Sequence, residues 1–230
     1  MILVDEKFKE MTPKQKLSYI WDYYKVPIIL AFVLILVVTS FIHERLTAKT
    51  TVFRLAMIDS NVSELIAGNL IDGFYYTCPG FDPEKEQMIL DANYDLDAVG
   101  FGAYTTQMKL TAEYVAGTID ATIAPEEAIT TLAESQAFAD LSEALPGDLK
   151  EELNARGFGL LYNKYEDPAT GEIYEYPYAV NISECSVVQS GFTESTGDTR
   201  PYYDEDCYYA ICPNSPNLEN TVAFLRYLIN

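Results

Sequence analysis

Histidine is almost absent from this 230-residue chain: only His43 occurs, next to an apolar run near the N-terminus. Beyond that run no imidazole is available to take a proton, which excludes Ser-His-Asp and Cys-His nucleophilic arrangements from the remainder. The four cysteines (Cys78, Cys185, Cys207, Cys212) never adopt C-x-x-C spacing, so the common zinc patterns are excluded too. No G-x-S-x-G elbow, Walker loop or G-x-G-x-x-G turn is present. Internal repeats and low-complexity tracts are also missing. Bases are scarce where the chain is longest. Residues 1–49 carry seven Lys/Arg against five acids, whereas residues 50–230 carry eight against thirty. So acidic a surface excludes nucleic acid, whose phosphates need Lys/Arg to displace counterions, and keeps the main body off an anionic lipid surface.

What the chain does have is apolar residues, 49% of the total, and one long uncharged run, Val26 to Ile42. At about 1.5 Å per residue this run spans roughly 26 Å, near the lower limit for crossing a bilayer. Trp21, Tyr23 and Tyr24 suit an interfacial aromatic belt, Lys25 can extend its ammonium outward, and Pro27 is expected in the helix's first turn. The run is longer than a secretory h-region and is followed by bulky Phe41, Ile42 and His43, so an uncleaved anchor is expected. Five lysines precede it and few follow it closely, which puts the N-terminus in the cytoplasm. The expected organisation is a cytoplasmic N-terminal segment (1–24), a transmembrane helix (25–43), a stalk (44–50) and an extracytoplasmic domain (51–230). Thr12 and Pro13 are the cap and first residue of a helix leading into the membrane.

From residue 51 apolar alternation and helical spacing take turns. "TVFRLAMID", "EQMILDANYDL" and "TIDATIA" read as strands. Each is followed by a helical stretch: one with Leu65, Ile66, Leu70 and Phe74 in register, one ended by Gly117, and one opening at Pro125. The fold class expected is α/β: an open, mostly parallel sheet with helices on both faces plus a β-hairpin, preceded by one transmembrane helix. The hairpin is "FGLLYNKYEDPATGEIYEYPYAVNI", turning at "DPATGE". "CYYAICPNS" is a further strand, and the C-terminal helix is capped by Ser215 or Asn217 with Val222, Leu225 and Leu228 inward. Cys207 and Cys212, five apart in one strand, would face opposite sides and could not bond to each other. Four cysteines allow three pairings; Cys185 with Cys207 is the preferred one, and simple buried thiols are the alternative.

In open parallel sheets ligands settle at the carboxyl ends of strands. This places Asp59, Ser60, Asn61, Pro125, Glu126, Asn181 and Ser183 as the candidate ligand-binding residues, selecting a cationic or polyhydroxylated ligand. The plain alternative is that Ser60, Asn61 and Glu126 only cap helices. "DANYDLD" gives Asp91, Asn93, Asp95 and Asp97 a calcium-loop spacing, but Leu96 stands where glycine is needed and Gly102 where the closing Glu is needed, so a solvated strand end is preferred. No cofactor or metal is expected. The tyrosines of the last third offer a stacking or partner surface; as plain strand formers they need no such role.

"GTIDATIAPEEAITTLAESQAFADLSEALP" resembles the extracytoplasmic solute-binding proteins of bacterial ABC transporters, of the type II periplasmic-binding-protein-like class. Gly117, Asp120, Pro125, Glu126, Asp140, Leu141 and Ser142 carry the likeness. Tyr176 to Val180 resemble the family's return strand, and Ser215, Asn217, Glu219, Ala223, Phe224 and Leu225 resemble its C-terminal helix. The chain lacks the length for a second lobe, so the resemblance implies a reduced, membrane-anchored single lobe without hinged jaws. The overall plan also resembles single-pass surface proteins of Gram-positive-type bacteria. The expected role is non-enzymatic: a tethered binding or interaction module that presents a solute-binding-like lobe to a transporter or sensor complex, or holds a small polar ligand. Two rivals remain, an accessory structural subunit without a ligand and a carboxylate-based envelope enzyme.

Overall fold

The computed structural model describes residues 12–230 except 63, 79, 97–100, 167–170 and 194–196. Asp97, most of the "DPATGE" turn and the first eleven residues of the N-terminal segment therefore lie outside the described residues. The chain divides into two units, Met1–Lys49 and Thr50–Asn230.

The first unit is one helix, α1 (Pro13–Thr47). It opens where the Thr-Pro pair predicts, and the Lys16 N–H donates to the Thr12 carbonyl at 2.9 Å. Within it, Tyr24–His43 is long and apolar enough to cross a membrane. One expectation is corrected. Pro27 lies in the helix interior, not in a first turn, so the Tyr23 carbonyl lacks its usual i+4 donor there. The stalk is largely helical, because helix continues through Thr47 and leaves only Ala48 and Lys49 before the first strand.

The second unit is α/β. Its strands are β1 (Thr50–Ile58), β2 (Glu86–Tyr94), β3 (Ala121–Pro125), β4 (Leu160–Glu166), β5 (Ile173–Asn181), β6 (Phe192–Thr193), β7 (Thr199–Arg200) and β8 (Cys207–Ile211). The helices are α2 (Glu64–Tyr75), α3 (Phe101–Val115), α4 (Glu126–Glu134), α5 (Leu141–Ala144), α6 (Gly147–Arg156), α7 (Ser186–Gln189) and α8 (Leu218–Ile229). Six strands form one sheet in the order β2-β1-β3-β8-β5-β4; β6 and β7 make a separate two-stranded ribbon.

The sheet is mixed, which corrects the mostly parallel expectation. β1 pairs in parallel with β2 and β3, but β3–β8, β8–β5 and β5–β4 are antiparallel. The cause is β8: this late strand inserts between β3 and β5 and runs against both. β1, β2, β3 and β5 therefore still share one direction.

Side-chain alternation gives the sheet two apolar faces. Phe53, Leu55 and Met57 of β1 belong to one cluster with residues of α2, α6 and α8. Ala56 and Ile58 belong to the other, with Leu110 of α3 and Ile129 of α4. In the first, Phe53, Phe74 and Phe224 meet with ring centroids 4.9 to 5.9 Å apart, tying α2 and α8 to β1. Cys207 faces the first cluster and Cys212 the second, as the spacing of five requires. Helix α6 occupies the dozen residues between the solute-binding-like motif and the hairpin, to which sequence reading assigns no element. Its apolar contribution is Leu149 and Leu153, one turn apart, and Gly157 ends it in the left-handed conformation.

The preferred disulfide is not formed. All four cysteines are free thiols. Cys185 precedes the one-turn helix α7, Cys207 opens β8, and both side chains are absorbed by the apolar cluster.

Candidate functional site

Because β1, β2, β3 and β5 run together, their carboxyl ends share one edge of the sheet with the first residues of β4 and β8. All seven candidate residues are found along this edge, but the structure does not gather them into one site.

Asn181 and Ser183 line a cleft of about 550 Å³, with Arg156, Glu184, Cys185 and Asp206. Asn181 ends β5 and shapes the turn that follows: its Oδ1 accepts from the Ser183 N–H at 3.0 Å, and its Nδ2 donates to Asp206 at 3.4 Å. The Ser183 hydroxyl accepts from the Cys207 N–H at 2.9 Å and donates to the Cys207 carbonyl at 3.4 Å, which pins the turn to the start of β8. Arg156 comes from the last turn of α6, where it pairs with Glu152 at 3.1 Å and lies 5.0 Å from the Phe158 ring centroid.

Asp59 and Pro125 line a second hollow of about 260 Å³, bordered also by Glu127 and Glu205. The acidic turn "DED" (204–206) contributes Glu205 to this hollow and Asp206 to the larger cleft. Asp59 adopts a left-handed backbone (φ 49) that closes the β1–β2 end: its N–H donates to the Tyr94 carbonyl at 2.8 Å and its carboxylate accepts from the Leu96 N–H.

Ser60, Asn61 and Glu126 line neither cavity. Asn61 donates to the Pro201 carbonyl at 3.4 Å, the Ser60 hydroxyl is buried with no partner, and Glu126 accepts from the Tyr208 hydroxyl at 3.2 Å. Pro125 occupies the N-cap position of α4 without capping it through its side chain.

Neither the cleft's Cys185 nor the buried Cys207 nearby is poised for chemistry. Burial pushes the Cys185 thiol up to about 11, with Arg156 pulling the other way, and pushes Cys207 up to about 12. Both stay protonated near neutrality, and a thiol is a far weaker nucleophile than a thiolate. Among the described residues no three His, Cys, Asp or Glu side chains are grouped to hold a metal ion. Asp91, first residue of the calcium-like run, is instead paired with Lys109 at 2.9 Å. Burial alone would raise its carboxyl, but the Lys109 ammonium and the Asn93 N–H together hold it below the usual carboxylate range.

What the cleft can do is hold a small polar molecule. It offers an amide and a hydroxyl, both already ordered by backbone contacts, with one guanidinium and two carboxylates around them. Arg156, Glu184 and Asp206 escape sequence reading, since an Arg in a last helical turn and acids in a loop are ordinary surface features.

Asp120, prominent in the solute-binding-like motif, does not serve the edge. It is buried and accepts from the Arg54 N–H at 2.7 Å, the Ser215 hydroxyl at 2.6 Å and the Asn217 amide at 3.1 Å. The amide of Asn217, an expected helix cap, is used on Asp120 instead.

No family model matches the chain, and neither a curated protein nor a solved structure matches it.

Proposed function

We propose that this protein is a membrane-tethered, extracytoplasmic binding module, a reduced relative of one solute-binding lobe that holds a small polar ligand bearing a cationic group. The observation that carries this reading is the cleft of about 550 Å³ at the carboxyl end of β5, where Asn181 and Ser183 stand beside Asp206 and Glu184. Two carboxylates outnumber the single guanidinium, which favours an amine on the ligand, and Arg156 suits a carboxylate or ring on its other end. The apolar helix and the excess of lysines ahead of it support an anchor with its N-terminus inside. No catalytic step is assigned, since the cleft lacks an imidazole and its one thiol, Cys185, is protonated.

Thermal-shift titration of residues 50–230 with putrescine, arginine and glucose tests the ligand. A melting rise of a few degrees with the amines, lost in Asp206→Asn, is the expected result. Equal responses in the parent and in Asp206→Asn, or no response to any of the three, would refute the reading. Protease added to intact cells tests the placement, because the acidic unit should be digested while residues 1–24 are spared.

A second reading, an interaction subunit whose surface serves protein contacts, is favoured by the exposed Tyr162, Tyr165, Ile173 and Tyr174 on the β4–β5 hairpin.

A further inference from the structure

The ligand cleft continues into a smaller hollow of about 220 Å³, which lies against Leu160 and Tyr162 of β4 and Pro177 of β5. A bulge makes room for it. Leu161 pairs with Ala179 but Tyr162 with Pro177, so Tyr178 is the extra residue and packs on the other face of the sheet. In a regular ladder the Tyr178 ring would oppose Tyr162 and fill this space. Leu141, Leu145 and Leu153 give the hollow an apolar floor.

Three features join the two cavities into one groove. Phe158 borders both. Lys150, Leu153, Asn154 and Gly157 follow at helical spacing along one face of α6; the first three line the hollow and the last lines the cleft. The chain then turns back along the same groove, with Gly159 at the cleft and Leu160 and Tyr162 at the hollow.

The two ends carry opposite charge. Asp206 and Glu184 line the cleft, whereas the described residues around the hollow include no acid and one cation, Lys150. Its ammonium donates to the Ser142 carbonyl at 2.7 Å, which steadies it at the rim and leaves N–H groups over for an anion. Arg156, by contrast, already holds Glu152 at 3.1 Å. Lys150 and Arg156 are about 9 Å apart along the helix axis, and a tripeptide at about 3.3 Å per residue spans about 10 Å. An apolar cavity of about 150 Å³ accepts benzene, so a leucine side chain fits the hollow.

We infer that the ligand is a short zwitterionic peptide with its amino end at Asp206 and Glu184, an apolar side chain in the hollow past Phe158, and its carboxylate at Lys150 with the Asn154 amide beside it. The amino end rests on the cleft reading above; the hollow adds the length, the side chain and the carboxylate.

Saturation-transfer NMR on the full chain in nanodiscs, with Gly-Leu-Gly as probe, tests this against the C-terminal amide of that peptide and against triglycine. Each control should bind roughly tenfold more weakly, the first for its missing carboxylate and the second for its missing side chain. Lys150→Met should lose the same factor for Gly-Leu-Gly and nothing for the amide, with an unchanged urea midpoint showing that this exposed substitution leaves the fold intact. Equal binding of Gly-Leu-Gly and either control overturns the inference. So does parental affinity in Lys150→Met, and so does the lack of any transfer at about 10 mM peptide, weaker than the millimolar end of useful affinity. Putrescine has no carboxylate for Lys150 and reads the cleft by itself. An Asp206-dependent response to putrescine beside equal peptide affinities leaves the cleft reading standing while the peptide falls; silence toward putrescine and peptide alike removes both.

Discussion

Asp120→Ala is expected to be among the most damaging single substitutions in the acidic unit. The Asp120 side chain is 2% exposed and accepts three protein donors, one each from β1, the Ser215 turn and the start of α8. Its backbone adds two bonds, donating to the Arg54 carbonyl at 2.9 Å and accepting from the Cys212 N–H at 2.9 Å. Removing the carboxylate strands an N–H, a hydroxyl and an amide. Each buried donor left without an acceptor costs about 1–3 kcal/mol, and a water in the vacated space recovers part, so a loss of about 4 kcal/mol is expected. For a unit of this size that lowers Tm by roughly 8–16 °C. Asp120→Asn keeps the shape but sets an NH₂ against one donor; the Ser215 hydroxyl can rotate to accept, so about 2 kcal/mol is expected. Urea unfolding of residues 50–230, followed by circular dichroism, measures both. The reasoning is refuted if Asp120→Ala costs under about 1 kcal/mol, the range of ordinary surface changes, or if Asn is worse than Ala.

Two glycines in the left-handed region separate strain from collision. Alanine at Gly157 (φ 74) meets nothing within 4 Å and should cost only the backbone penalty of about 1 kcal/mol, whereas at Gly191 (φ 59) its Cβ would lie 2.0 Å from the Arg200 carbonyl oxygen, adding an overpacking cost of about 1–3 kcal/mol. Thermal melts of the two variants should therefore differ clearly, with Gly191→Ala the lower. The buried thiols also give a pH signature. Cys185 and Cys207 hold their protons to about 11 and about 12 in the fold and release them near 9 when unfolded, so their stabilisation is complete below 9 and is lost as pH rises from there toward 12. Replacing both by alanine should flatten the decline in urea midpoint between pH 9 and 11; an unchanged slope would show that burial does not govern them.

Several features were legible because they depend on near neighbours alone. The Thr12–Pro13 start of α1 follows from a cap and a fixed φ. The opposite facing of Cys207 and Cys212 follows from the two-residue period of a strand. Other features were hidden. The polar stretch of α6 needs only Leu149 and Leu153 against the core, too few apolar positions to announce a helix. Asp120 stood out as part of a motif, yet its partners Ser215 and Asn217 come from almost a hundred residues away. The candidate residues shared an edge, but only Asn181, Ser183, Asp59 and Pro125 reach a cavity, and the split of these four between two cavities depends on the 204–206 turn, which reaches them only when β8 is in place.

By itself the sequence determined what periodicity, capping and charge can determine: one apolar helix fit for a bilayer, alternating strands and helices, and an acidic body without imidazole. Only the tertiary structure decided that β8 separates β3 from β5, that Asn181 and Asp59 line different cavities, and that among the described residues β4 pairs on one side alone. Strand order is set by pairings between segments distant in the chain. Each strand carries the pattern that buries its faces but no mark of the neighbour beside it.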